Sequence, residues 1–210
     1  MTAKPRQMKV LNLYAGLGGN RKLWQDVEVT AVELDESICQ FYQDQYPNDT
    51  VICGDAHQYL LENYRAFDFI WSSFPCPSHS KARFWSSKGG KYNPVYPDLG
   101  LYEEIIFLQH FADNAKWVVE NVDPYYNALL NPTKIGRHLF WSNFEIARVG
   151  FGDADIRDGK REDWERLHGI SIKGYKFNQR TDKLLRNCVN PQLGLHILKE
   201  SKRIGMFSFT

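Results

Sequence analysis

An α/β fold, with a mostly parallel sheet and helices on both faces, is what the sequence predicts, and three observations carry it. Strand-like and helix-like segments alternate through the first two thirds of the chain, the pattern that threads a parallel sheet. The strand-like runs end in residues suited to binding or chemistry, and in open α/β sheets the ligand crevice lies beyond the carboxyl ends of the strands. Length sets the scale: 210 residues with 43% hydrophobic content suffice for one full domain plus a small appendage, not for two ordinary domains.

Taken in order, residues 9–13 read as the first strand, and Ala15-Gly16-Leu17-Gly18-Gly19 as a turn that opens a short helix near 21–24. The second strand covers 27–32 and ends in Glu33-Leu34-Asp35, where Asp35 is placed to cap a helix over 36–46 that Pro47 stops. A third strand around Val51 and Ile52 ends in Cys53-Gly54-Asp55-Ala56, and a fourth covers 67–71. The polar stretch 75–97 reads as neither helix nor strand, and a loop of that length in a compact domain is usually functional. A helix over 101–115, a fifth strand over 117–120, and a hairpin of strands at 138–141 and 144–149 follow. Between 150 and 183 the composition turns polar, with a mixed-charge run at 157–163, which predicts the appendage. A last helix begins after Pro191 and carries Leu193, Ile197 and Leu198 on one face. The predicted layout is a domain over 1–149, a small unit over 150–183, and a segment over 184–210 that returns to the domain.

Composition excludes some classes. The four cysteines, Cys39, Cys53, Cys76 and Cys188, show no CxxC pairing and no metal-ligand spacing, and the first residues lack an apolar signal region. These features predict a reducing, cytoplasmic location and no metal. No apolar run is long enough to span a bilayer, so no membrane partner is expected. The net charge of +1 neither requires nor forbids nucleic acid, because a local basic face would suffice.

The chemistry collects at the strand ends. Gly16 and Gly18 begin a dinucleotide-like fingerprint, but Arg21 stands where the third glycine would be, which argues against a pyrophosphate seat. Glu33 is placed to accept ribose hydroxyls, and Asp55 to accept from an exocyclic amine. A ribose and an adenine without a pyrophosphate point to S-adenosylmethionine. Cys76 lies between Pro75 and Pro77, whose fixed φ angles hold it extended on a rigid loop just after a strand. Most free cysteines are inert core residues; this one is presented rather than packed.

With these segments in hand, the chain resembles the cytosine-C5 DNA methyltransferases. Residues 13–19, 32–35 and 54–56 are similar to the family's first three motifs. Phe74-Pro75-Cys76-Pro77-Ser78-His79-Ser80 is similar to its Pro-Cys nucleophile loop, and Glu120-Asn121-Val122 to its Glu-Asn-Val motif. Residues 186–191 resemble the segment that closes the cofactor pocket. The order is the family's, from about Val10 to Ile197. The resemblance implies a Rossmann-like, S-adenosylmethionine-dependent methyltransferase sheet. It also implies cofactor contacts from Tyr14, Ala15, Gly16, Leu17, Gly19, Glu33, Leu34, Asp55, Ala56, Pro75, Asn187 and Cys188.

Cys76 is implied as the nucleophile that adds to cytosine C6, with Glu120 at N3 as acid or electrostatic stabiliser. Where the family has Arg-x-Arg, this chain has Gly136-Arg137-His138, so Arg137 and His138 are both candidates for the base carbonyl. The loop after Cys76 supplies Ser80, Lys81, Arg83, Lys88 and Lys91 as phosphate contacts, with Trp85 as a wedge for a flipped base. DNA is the implied substrate, RNA the rival. A subunit that needs a partner for recognition is the reading from another class, because 150–183 is far smaller than the family's target-recognition domain.

Overall fold

The computed structural model describes residues 6–150 and 159–203. Strand β1 (Met8–Leu13) pairs in parallel with β2 (Val27–Glu33) and with β4 (Phe69–Ser73). The parallel ladder extends from β2 to β3 (Thr50–Cys53) and from β4 to β5 (Lys116–Val122). Strand β7 (His138–Ser142) runs antiparallel to β5, and β6 (Thr133–Ile135) closes that edge. The described residues thus form a seven-stranded sheet of order β3-β2-β1-β4-β5-β7-β6, in which the direction of winding reverses beside β1. A reversal of this kind opens a crevice above the strand ends. The fold is the predicted α/β, Rossmann-like sheet.

Alternation along the strands builds one core on each face. Leu11, Leu13, Ile70 and Val119 pack against Leu60 of α2 (Ala56–Asn63) and Leu101, Ile105 and Leu108 of α4 (Gly100–Phe111). On the other face, Val10, Phe69, Trp71 and Val118 meet Trp24 and the Leu193, Ile197 and Leu198 stripe of α7 (Pro191–Ser201). Helix α1 (Glu36–Gln45) covers Ala31 with Tyr42. Each such side chain, once buried, contributes about 1.5–3 kcal/mol. No helix among the described residues is long and apolar enough to cross a membrane.

Four local expectations are corrected. Residues 21–24 form a turn, not a helix: Arg21 sends Nη1 to the Trp24 carbonyl at 2.8 Å and its remaining donors to Asp49, closing the segment before a helix can propagate. The stretch 75–97 contains helix α3 (Lys81–Lys88), whose first turn is capped by Ser80 Oγ accepting from Arg83 N. Residues 144–149 form no strand, because β5 and β6 already occupy both edges of β7. Asp55 starts a helix that the sequence reading omitted: its Oδ1 accepts from His57 N and Gln58 N and caps α2.

The polar unit after 150 carries helix α5 (Arg161–His168) and the start of α6 (Thr181–Asn187). Residues 151–158, where that unit and its mixed-charge run begin, lie outside the described residues, as do 1–5 and 204–210. Trp164, Ile170, Ile172 and Leu185 pack with Leu17, Ile38 and Phe41, so this part of the chain sits against α1 and the glycine turn.

Candidate active site

Above the strand ends lies a cavity of about 680 Å³, within the range of small-molecule sites. The glycine turn forms its floor. Gly16 has φ +53° and Tyr14 φ 53°, the left-handed conformation that lets the chain turn directly off β1. Glu33 fixes this turn: its Oε2 accepts from Gly16 N at 3.0 Å, while Oε1 accepts from Leu34 N and Asp35 N at 2.8 and 3.1 Å. Tyr14 donates its hydroxyl to Glu104 on α4, a fully buried carboxylate that also accepts from Ser72 Oγ at 2.6 Å and meets His57 Nδ1 at 3.1 Å. Burial and the Glu104 charge raise the Tyr14 phenol far above its ordinary value and keep it a donor.

Of the residues expected at the cofactor, Tyr14, Ala15, Gly16, Leu17, Gly19, Glu33, Leu34, Pro75, Asn187 and Cys188 all line this cavity. Asp55 and Ala56 do not; they stand at the start of α2, where Asp55 Oδ1 is engaged in capping and Oδ2 is left for another donor.

Cys76, Glu120, Arg137 and His138 line the same cavity. The Cys76 carbonyl accepts from His79 N and Ser80 N at 3.0 and 3.1 Å, so the Cys76 loop folds straight into α3. Asn121 Nδ2 holds the loop's base by donating to the Phe74 carbonyl. Burial, then the Glu120 charge, push the Cys76 thiol up to about 11, against the pull of Lys183 and Arg137. The thiol is therefore protonated at neutral pH. Glu120 Oε1 lies 2.5 Å from His138 Nδ1, and both side chains are 8% exposed. Arg137 donates to the carbonyls of Arg186 and Cys188, tying β7 to the returning segment.

The basic loop residues lie on α3 and beyond. Ser80 is its cap, Lys81 pairs with Asp123 at 2.8 Å, and Arg83 lies over the Tyr92 ring. Lys88 lies near the Phe84 and Trp85 rings, and Lys91 near that of Tyr92.

Sequence reasoning missed a whole wall of the site. Asn178, Gln179 and Lys183, from the segment read as an appendage, line the cavity, and Asn178 Nδ2 donates to Asp35 Oδ1 at 3.0 Å. The available signal was the alternation of Tyr175 and Phe177, both of which seat on Phe41. Glu104 gave none, since a glutamate inside a helical run reads as a solvated position. Among the described residues no group of three or more His, Cys, Asp or Glu is arranged to hold a metal ion.

The family model for C-5 cytosine-specific DNA methylases matches residues 8–123, more than half of the chain. The chain is 28% identical over 148 residues to the type II methyltransferase M.NgoMIV of Neisseria gonorrhoeae, a match covering 69% of this chain and 44% of that protein. Among solved structures, a mutant of Spodoptera frugiperda DNMT2 aligns over 59% of this chain and 38% of its own, with 24% identity and a TM-score of 0.42. A SAM-dependent methyltransferase from Agrobacterium tumefaciens aligns over 59% and 41%, with 18% identity and a TM-score of 0.40. The chain spans less than half the length of these three.

Proposed function

The chain belongs to the C-5 cytosine-specific DNA methylase family, and on that premise we propose that it transfers a methyl group to C5 of cytosine in DNA through a covalent adduct on Cys76. The observation that carries the reading is a single cavity lined by the glycine turn, Glu33, Cys76 and the Glu120–His138 pair. Family membership brings S-adenosyl-L-methionine, which when bound supplies an electrophilic methyl on a sulfonium. The residues of the cavity fit it: Glu33 keeps one lone pair, on Oε2, for a ribose hydroxyl beyond the three amides it accepts from, whereas Asp55 stands outside the lining.

Cytosine C5 is a poor nucleophile until a thiolate adds at C6. Cys76 forms that C–S bond, and because its thiol is pushed up to about 11, it gives its proton to the Glu120 carboxylate that faces it as attack proceeds rather than beforehand. Negative charge then builds at N3 and the carbonyl oxygen of the ring. Glu120, now carrying that proton, passes it to N3 and so neutralises the charge, while His138, bonded to Glu120 through Nδ1, orients the carboxyl and stands beside it for the ring carbonyl. Arg137 acts differently, bracing the wall through two carbonyls. After methylation a base removes the C5 proton and Cys76 leaves.

Incubation with tritiated S-adenosylmethionine and DNA carrying 5-fluorocytosine tests this reading. The wild-type chain is expected to form a covalent adduct that Cys76→Ala does not. An adduct with Cys76→Ala, or label on RNA and none on DNA, overturns it.

A further inference from the structure

Cys39 on α1 and Cys53 at the end of β3 meet beside the cofactor cavity, in a place that methyl transfer does not call for. The β2–β3 ladder pairs Cys53 with Glu33. The Cys39 thiol donates to the Glu33 carbonyl at 3.3 Å, and the Cys53 thiol to the next carbonyl, that of Leu34, at 3.9 Å. Two sulfurs directed at consecutive carbonyls are neighbours, and Cys39 registers the contact. Burial, then the Cys53 thiol as hydrogen-bond partner and as a nearby charge, push Cys39 up to about 12. The other two cysteines are engaged elsewhere: Cys76 faces Glu120, and Cys188 donates to the Leu184 carbonyl at 3.4 Å.

The pair is asymmetric. Cys53 is exposed and Cys39 is buried, so a dissolved oxidant reaches Cys53 first. Cys39 keeps its proton and stands behind Cys53 as the thiol that closes the bond. An exposed cysteine with a second thiol at its side is suited to reversible oxidation, because the neighbour intercepts the sulfenic acid before irreversible acids form.

The backbone between the two sulfurs anchors the cavity. The Glu33 carbonyl that accepts from Cys39 also accepts from Gly54 N at 2.9 Å, and the Glu33 carboxylate holds the amides of Gly16, Leu34 and Asp35. Leu34 itself lines the cavity. Joining the sulfurs removes both S–H donors from these carbonyls and draws α1 onto the end of β3, which shifts the Glu33–Leu34 corner.

We propose that Cys39 and Cys53 form a dithiol that peroxide oxidises to a disulfide, displacing the Glu33–Leu34 corner and weakening cofactor binding. The last clause rests on the reading of the cavity as a site for S-adenosylmethionine. The Cys53 sulfur attacks a peroxide oxygen: an S–O bond forms as the O–O bond breaks, and the departing hydroxide takes the thiol proton as water. The Cys39 sulfur then attacks the Cys53 sulfenic acid: the S–S bond forms as the S–O bond breaks, and hydroxide leaves with the Cys39 proton as a second water. Two thiols lose two electrons, and one hydrogen peroxide becomes two waters.

Both cysteines fall on one tryptic fragment, 23–65, since no lysine or arginine lies between Lys22 and Arg65. After hydrogen peroxide and alkylation in denaturant, the wild-type fragment is expected to carry no alkyl group and to be lighter by two hydrogens. Cleavage at Asp44 and Asp49 should leave its pieces joined until dithiothreitol is added. In Cys39→Ser, oxidation is expected to stop at a Cys53 sulfenic acid that dimedone traps. By calorimetry, oxidised wild type is expected to bind S-adenosylmethionine about tenfold more weakly, with recovery in dithiothreitol. Cys53→Ser, which retains Cys76, should keep its affinity through the same treatment. Two alkylated cysteines in the fragment, a Cys53 sulfinic acid without a link, or an equal loss of affinity in Cys53→Ser overturns the proposal. So does a disulfide that leaves wild-type affinity unchanged. A reduced chain that binds no S-adenosylmethionine removes the cofactor reading instead. Hydrogen exchange then decides: the Gly16, Leu34 and Asp35 amides are expected to lose protection on oxidation, and unaltered protection overturns the proposal.

Discussion

Cys76 is poised rather than ionised. With the thiol pushed up to about 11, iodoacetamide should label it slowly at neutral pH, at a rate that climbs as the solution approaches that value. Lys183 pulls the thiol down, so Lys183→Ala should move the labelling curve to still higher pH, read by mass spectrometry of the modified peptide. An unmoved curve would mean that the wall carrying Lys183 does not face Cys76 in solution. Glu33 has two tasks at once, since the carboxylate that remains open to a ribose also fixes the glycine turn through three amides. Glu33→Ala should weaken cofactor binding by on the order of 1.5–3 kcal/mol in calorimetry, and unchanged affinity would take Glu33 out of the site. Both residues were legible in the sequence because local punctuation marks them: two prolines around Cys76, a strand end followed by a helix cap for Glu33. Lys183 and Glu104 were not, because only tertiary packing brings Lys183 to the cavity and Glu104 beneath Tyr14.

Among the elements, most strands were legible, whereas β6, the order of the strands in the sheet and the pieces that wall the cavity were not. Hydrophobic alternation specifies a strand's face but not its neighbours, which is why 144–149 passed for a strand although β7 had no edge left for it. A helix with no buried side chain, such as α3, leaves no periodic apolar signal. Helix α5 ends in a further feature, the buried His168, whose ring lies beside the Leu185 backbone of α6 without a well-formed hydrogen bond at either nitrogen. Burial, then the positive charge of Arg137 and the nearby His138, push it down to about 4 from an ordinary 6.5. The folded form disfavours the imidazolium, so its contribution to stability is complete above about 6.5 and is lost as pH falls toward 4. Protection factors at the amides of α5 and α6, corrected for the intrinsic pH dependence of exchange, are therefore expected to fall across that window, and His168→Leu to abolish the fall. Protection in the wild type that stays flat from neutral pH down to 4 would contradict the assignment.

At the scale of the whole molecule, the end of the described chain closes on its beginning. Trp24 Nε1 donates to the Gly194 carbonyl at 3.0 Å across 170 residues of sequence. A Cβ on Gly194 would sit 2.3 Å from the Asn20 carbonyl oxygen, and one on Gly19 2.6 Å from that of Val189. Since backbone cannot step aside as a flexible side chain does, Gly194→Ala should cost about 1–3 kcal/mol, read as a lowered urea midpoint with an unchanged slope. A midpoint equal to that of wild type would show that the contact is loose. The motif order along the chain made the returning segment legible, whereas the contact itself was invisible because a glycine within a helix carries no positional signal of its own. The closure also bears on how the molecule is born. Contacts between distant parts of a chain form late, because the entropy of the intervening loop must be overcome before they stabilise anything. A nascent chain on the ribosome can pair β1 with β2 early, yet the glycine turn lacks its packing partners until α7 has emerged. Cofactor affinity should thus arise in one late step, only once synthesis has passed α7.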